Sequence, residues 1–437
     1  MKYNKLFKLK DILHNNMKNI TSDTKMRNRK LSIEDIISYR FNYSECNKTK
    51  QSIVSSLNYD NNKKVHLSSY LKKEEKIPID FYKKTFLEIK DLFGNKNDDL
   101  LNIIAIDGTY TNTNINREKG KTQTTLNMGY YDLVNHIPID ISFNGAGTKN
   151  NEVNFAKKWI ENNDIHNTIF VCDRAYFKYD YIKFLMDNKL NFIIRIKENS
   201  QLKTDIKNTN KKKDTIDYIK NNCRLIEYNI EHIKKVIDKD NNERKLQCTN
   251  KYTLITNLSK DNKEFTDDNI KNIYKNRWYI EIFFKHLKNN FNFEHVKEKK
   301  EIQYKKIIYC SLIVIYISKL IKEYSLNLIS KKKDGYHKSI NETNLIKGIY
   351  DKLLTNMIYN TLAEENITKF INSYIIVISN KEERHFPRSA ITPFTKWYVK
   401  GYADRYKYKE IINAIDNEIS ENLHANIKTK IKHKTCV

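Results

Sequence analysis

Tyr274-Lys-Asn-Arg-Trp-Tyr-Ile-Glu-Ile-Phe-Phe-Lys-His-Leu-Lys288 is the stretch whose reading decides the fold. As one continuous helix turning about 100° per residue, it gathers Tyr274, Arg277, Glu281 and Lys288 within about 60° of a single face. That face carries a carboxylate flanked by a phenol and two cations. A carboxylate oxygen suits a hard divalent metal, while Arg and Lys neutralise phosphate. Away from that face, Trp278, Phe283 and Phe284 read as core, and His286 reads as a structural side chain rather than a metal ligand.

A metal held by a helix-borne Glu needs further acids, and two apolar runs upstream deliver them. Asn102-Ile-Ile-Ala-Ile-Asp-Gly-Thr-Tyr110 brings Asp107 to the end of a buried strand beside a glycine, and Thr168-Ile-Phe-Val-Cys-Asp-Arg-Ala-Tyr176 does the same for Asp173. Asp132 and Asp140 also fall on strands and read as ordinary surface carboxylates.

The spacing Y-x2-R-x3-E-x6-K, with Asp-Gly at 107–108 and Asp-Arg-x-Tyr at 173–176, resembles the signature of the DDE transposases of bacterial insertion sequences. The resemblance covers residues 100 to 300 and implies an α/β, ribonuclease-H-like mixed sheet. It implies that Asp107, Asp173 and Glu281 are catalytic and hold two Mg²⁺ (or Mn²⁺) ions, with Asp107 bridging both. It also implies that Arg174, Tyr274, Arg277 and Lys288 contact DNA. Arg388, Lys396 and Trp397 echo a tail seen in related transposases and would add phosphate or strand contacts. The partners implied are double-stranded DNA, as element ends and target, and a second copy of the chain in a homodimeric synaptic complex. The site of action would be the cytoplasm or nucleoid of a prokaryote, or the nucleus or a viral factory in a eukaryotic host.

The residues between the acids fit that fold. Leu126 to Gly145 reads as a hairpin turning near Asn135-His136, Asn151 to Asn162 as a helix, Tyr179 to Asn188 as a second helix, and Phe192 to Ile196 as a strand. Strands alternating with helices predict a sheet covered on both faces. The chain from Asp173 to Glu281 exceeds what one crossover needs, and the excess reads as mostly β, with a polar turn at Asp238–Asn242. Resembling transposases carry a β-rich insertion there, in which an aromatic stacks on a flipped base. Trp159, Trp278 and Trp397 all fall outside it, so the resemblance would pass that role to Tyr228 or Tyr252.

The expected organisation is a helical DNA-binding domain over 1–98, the first part of a catalytic core over 99–197, a β-rich insertion over 198–266, a second core part with the Glu helix over 267–325, and a basic helical region over 326–437. In the first, Ser32-Ile-Glu-Asp35 reads as a capping box and Pro78 precedes a helix over Asp80 to Phe93. The apolar run Ile307 to Ile321 falls short of the roughly 20 residues a membrane span requires, so no membrane is expected and a buried helix behind the catalytic one is.

With 79 basic against 53 acidic residues the chain carries a net charge of +26, which calls for an anionic polymer partner. The six cysteines show no C-x2-C spacing and read as reduced thiols. Lys211–Lys213 and Lys331–Lys333 read as solvated loops. With the resemblance, three classes remain: a transposase, a ribonuclease-H-like nuclease without strand transfer, and a DNA-binding protein that has lost its chemistry. Intact Asp107, Asp173 and Glu281 argue against the third.

Overall fold

Strand β1, Asn102–Thr113, pairs on one side with the antiparallel hairpin β2 (Gln123–Asp132) and β3 (Ile137–Ala146), and on the other with the parallel strands β4 (Thr168–Cys172) and then β5 (Asn191–Arg195). The computed structural model describes residues 3–24, 30–46, 48–93, 101–115, 123–146, 152–163, 165–197, 203–204, 206, 214–237, 243–294, 297–329 and 336–379. Beyond β5, the sheet is extended by β7 (Glu243–Thr256), antiparallel to β5, and by β6 (Arg224–Ile237), for the order β3-β2-β1-β4-β5-β7-β6. The first five strands form the mixed ribonuclease-H-like sheet that the acids predicted.

Alternation along the strands sends side chains into two separate cores. Ile104 and Ile106 of β1, with Phe170 and Cys172 of β4, enter one face, packed by the helices Glu152–Glu161 and Tyr179–Asp187. Ala105, Ile169 and Val171 enter the other, beneath the helices Trp278–Asn290 and Glu301–Ile329. All five residues of β4 are buried, as a strand covered on both faces should be.

The Glu301–Ile329 helix is the expected buried helix, longer than its apolar run, and among the described residues no helix is long and apolar enough to cross a membrane. The Tyr304 hydroxyl donates to Asn127 Oδ1 at 3.2 Å and the Tyr316 hydroxyl to the Pro138 carbonyl at 2.7 Å, fastening this helix to the hairpin. The N-terminal helices Asn4–Thr24, Ile33–Ser44 and Ile79–Asp91 share its hydrophobic core through Leu6, Leu9, Ile36, Ile37, Tyr82 and Phe86. Ser32 caps the second of them in the expected reciprocal box with Asp35.

Past residue 326, Tyr336–Ile340 and Ile375–Ser379 form a two-stranded antiparallel sheet among short helices, an element the helical reading of this region did not foresee. The described part of the insertion includes a helix, Asp214–Asn222, followed by β6 and β7. The described part of Asn229–Lys251, the distal portion of that strand pair, is a compact unit of its own. Its polar turn at 238–242 lies outside the described residues.

Candidate active site

Ile106 and Cys172 are the last registered partners of β1 and β4, so Asp107 and Asp173 follow at equivalent positions on parallel strands, which neighbour each other at about 4.8 Å. By parity Asp107 shares its face with Ala105, and Asp173 with Val171, which is the face covered by the Trp278–Asn290 helix. Asp173 is fixed where β4 ends: its Oδ1 accepts the Ala175 N–H at 2.7 Å and caps the 3₁₀ turn Arg174–Tyr176. Arg174 is exposed in that turn.

The helix bearing Glu281 reaches the sheet because Gly129, the register partner of Asp107, has no side chain. A Cβ there would lie 2.6 Å from Phe284 Cζ, so the Phe284 ring rests on bare backbone and Ile280 packs beside it. Glu281 is thereby held over β1 near Asp107.

The expected continuous helix is in fact two, Asp267–Asn276 and Trp278–Asn290, joined at Arg277, whose N–H bonds the Tyr274 carbonyl three residues back. Arg277 keeps helical dihedrals, so the chain runs on, but Tyr274 belongs to the first helix and is buried. Burial pushes the Tyr274 phenol up to about 12, with Arg277 opposing, and the Arg277 guanidinium lies 5.8 Å from the ring centroid. Trp278 departs from the core reading: it is 59% exposed, since the stripe facing the sheet is Ile280, Phe283, Phe284 and Leu287.

The Arg277 guanidinium stands between two of the acids. Nη2 lies 2.6 Å from Glu281 Oε1 and Nη1 lies 3.7 Å from Asp107 Oδ2. Asp107 is nonetheless pushed up to about 7, first by burial and then by Asp173, while Arg277 and the Gly108 N–H pull the other way. Among the described residues no three His, Cys, Asp or Glu side chains are close enough together to hold one ion. The donors fit a hard divalent cation all the same: they are carboxylate oxygens, and Asp107 carries a desolvated charge that one guanidinium does not neutralise.

An open cleft of about 380 Å³ beside this centre is lined by Asp107, Glu281, Lys285, Lys288, Asn289 and Glu294. Lys288 donates to the Tyr110 carbonyl at 3.1 Å, tying the helix to β1, and lies 3.9 Å from Glu294. Lys285 and Asn289 were not singled out in the sequence, although their spacing from Glu281 puts them on its side of the helix. Glu152 was missed as well. It opens the helix after β3, and its carboxyl lies where a Cβ on Gly108 would be, 2.9 Å away.

Other sequence candidates lie elsewhere. Asp140 is not a surface carboxylate but half-buried, accepting the Trp159 Nε1–H at 2.9 Å, with burial raising its pKa. Asp132, also half-buried, caps the hairpin turn through the N–H groups of Val134 and Asn135. His286 faces Glu342 at 3.2 Å. Tyr228 and Tyr252 stack on each other, with Arg195 over the Tyr252 ring and Lys271 over that of Tyr228, so a stacking base would compete with these contacts. Arg388, Lys396 and Trp397 lie outside the described residues.

The transposase DDE domain family matches residues 99–317, half of the 437-residue chain, from the start of the sheet into the long helix behind it. Comparison with curated proteins gives no match. Among solved structures, the chain is similar to a piggyBac transposase in a synaptic complex with hairpin DNA, at 10% identity and a TM-score of 0.39, over 88% of this chain and 86% of that one.

Proposed function

From the membership of this chain in the family of transposases with a DDE domain, we propose that it cuts DNA at the ends of a mobile element and joins the freed 3′-hydroxyls to target DNA. What supports the reading is the placement of Asp107 and Asp173 at adjacent positions where neighbouring parallel strands end, on the face where the Gly129-docked helix carries Glu281. In this proposal Asp107, Asp173 and Glu281 hold two divalent ions. Bound Mg²⁺ or Mn²⁺ supplies activation of the attacking oxygen and stabilisation of the leaving one.

The chain's own cations bind and orient the DNA. Lys285 and Lys288 line the cleft beside the acids and take backbone phosphates, and exposed Arg174 does so next to Asp173. Arg277 exchanges its carboxylates for a phosphate of the strand being cut, and buried Tyr274 carries its guanidinium. The charge of +26 draws the duplex in over a longer range.

The test uses a duplex carrying the element's terminal sequence, in Mg²⁺. Asp107→Asn, Asp173→Asn and Glu281→Gln each lose cleavage and joining while binding the duplex as the unaltered protein does. Cleavage surviving in all three overturns the reading. Cleavage without joined product in the unaltered protein makes it a nuclease without strand transfer.

A further inference from the structure

We propose that Arg195 is a further DNA-contacting residue of this centre, taking the backbone phosphate next to the scissile one, and that Tyr252 and Tyr228 brace it for that task rather than stack on a base. This deepens the proposed function and rests on it.

The sheet puts Arg195 in line with the acids. Cys172 of β4 pairs with Ile106 of β1 on one side and with Ile194 of β5 on the other, so the residues one step further on, Asp107, Asp173 and Arg195, follow one another across three neighbouring parallel strands. Such strands lie about 4.8 Å apart, which sets the spacing of the row. Ile193 belongs to the core beneath the Trp278–Asn290 helix and Ile194 to the opposite one, so by parity Arg195 shares the face of Asp107 and Asp173. The row thus passes from two carboxylates to a cation. A DNA strand that crosses the strand ends with its scissile phosphate over the acids brings its next phosphate over β5.

The surroundings of the half-buried guanidinium say how it is held. Tyr252 lies on β7 two residues before Leu254, the register partner of Arg195, and so is its diagonal cross-strand neighbour on the same face. The guanidinium carbon stands 4.2 Å from the centroid of the Tyr252 ring. Tyr252 is stacked on Tyr228 at 5.5 Å, with 18° between the planes, and Lys271 Nζ lies 5.8 Å from the Tyr228 centroid. Among the described residues no carboxylate pairs with Arg195 and no acceptor takes its N–H groups, although Asp173 is its neighbour in the row. An arginine held by its flat face against a ring keeps its N–H edge for a bidentate acceptor, and phosphate is one. Burial raises the Tyr274 phenol while Arg277 and Arg195 both oppose it, so the two guanidiniums stand near the same ring. Arg277 takes the phosphate being cut and Arg195 the next. A base stacked on Tyr252 would have to displace the guanidinium or Tyr228, whereas bracing Arg195 needs no rearrangement.

The experiment measures binding of the full chain to end-containing duplex by fluorescence anisotropy over a range of salt, without divalent metal, and cleavage in Mg²⁺ alongside. The variants are Arg195→Gln, Arg195→Lys, Tyr252→Leu and the double variant carrying Arg195→Gln and Tyr252→Leu. Arg195→Gln should lower the slope of log affinity against log salt by about one unit and slow cleavage by about 10- to 100-fold, as loss of a charged hydrogen-bonding contact does. Arg195→Lys keeps the charge and the slope, but without the planar fork it cuts more slowly. Tyr252→Leu should also keep the slope and slow cleavage, and should add nothing in the Arg195→Gln background, because it acts through Arg195. A further loss in the double variant would give Tyr252 a contact of its own, such as a stacked base, and overturns the bracing role. An unchanged slope in Arg195→Gln overturns the phosphate contact. If melting shows Arg195→Gln to be unfolded, Arg195→Lys cutting at the full rate overturns the proposal by itself. Absence of cleavage by the unaltered protein fails the proposed function instead, since the salt slope reads the contact without any cutting.

Discussion

Arg277 and Glu281, one helical turn apart, are joined at 2.6 Å, and the same guanidinium stands 3.7 Å from Asp107. The pair is an ordinary i,i+4 contact in sequence, but the second carboxylate changes its meaning. Arg277 is a built-in cation at oxygens a metal would need, and among the described residues its buried Nε has no hydrogen-bond partner. In the proposed reaction a metal and the guanidinium would compete for the same charge.

Arg277→Gln should therefore raise the affinity of the DNA-free protein for Mn²⁺, by about tenfold if the guanidinium offsets about 1.4 kcal/mol of metal binding. Cleavage of end-containing duplex should fall at the same time, because the phosphate contact goes with it. Isothermal titration with Mn²⁺ reads the first effect and a gel-based cleavage assay the second. Metal affinity that drops in the variant would show that Arg277 supports the centre rather than occupying it.

Gly129→Ala is expected to damage the site from behind. The new Cβ would meet Phe284 Cζ at 2.6 Å and Cε1 at 2.8 Å, and an aromatic ring wedged against the sheet cannot step aside. Overpacking of this kind costs about 1–3 kcal/mol. The displaced helix carries Glu281, so cleavage should fall further than stability alone explains. Combining the change with Phe284→Leu, which frees the space, should restore most of the melting temperature; failure to do so would place the strain elsewhere.

The sequence carried the parts of this site that depend on short-range pattern. Asp107 and Asp173 were legible because each closes a short apolar run, and strands buried on both faces have that form. Glu281 was legible from the spacing of its neighbours. The break at Arg277 was not, because a single residue that stays helical interrupts the hydrogen bonding without disturbing the periodicity. Trp278 misled for a related reason: an aromatic beside a core stripe looks like core until the register of Ile280, Phe283 and Leu287 is fixed by docking on Gly129. Glu152 was illegible because its place is set by a gap at Gly108, 44 positions earlier, on the far side of a hairpin. The Tyr336–Ile340 and Ile375–Ser379 pair went unseen because each strand is five residues long and their partnership spans several helices.

Stability should fall in acid through one buried cluster. Glu74 accepts from Arg40 Nε at 2.9 Å and from Lys306 Nζ at 3.0 Å, and all three side chains are almost wholly buried, linking the N-terminal helices to Glu301–Ile329. Burial alone would raise the Glu74 pKa, but Arg40 and Lys306 more than offset it and hold it below the usual 4.5. A depressed folded-state value means the stabilisation is complete above that ordinary value and is lost as pH falls through the folded one. Urea unfolding from pH 7 to pH 3 should show this loss. Glu74→Gln should cost about 3–5 kcal/mol at neutral pH, by leaving Lys306 buried without its anion and Arg40 with only the more distant Glu298 at 3.8 Å, and should flatten the acid limb. An acid limb identical in the variant would assign the pH dependence to other carboxylates.

Joining two element ends to one target needs two centres held in register, and each chain offers one set of Asp107, Asp173 and Glu281. Cutting and joining should therefore require two chains on paired ends, whatever the state of the free protein, with the DNA free to supply the link. Mixing gives the sharpest measurement. If unaltered chains and Glu281→Gln chains bind DNA equally and pair at random in a two-fold complex, an equal mixture should yield about a quarter of the doubly joined product, against about half if each chain works alone. The mass of the complex on end-containing duplex, measured in parallel by light scattering, should correspond to two chains. A complex of one chain per duplex, with product falling in simple proportion to the unaltered fraction, would mean that a single centre serves both ends in turn.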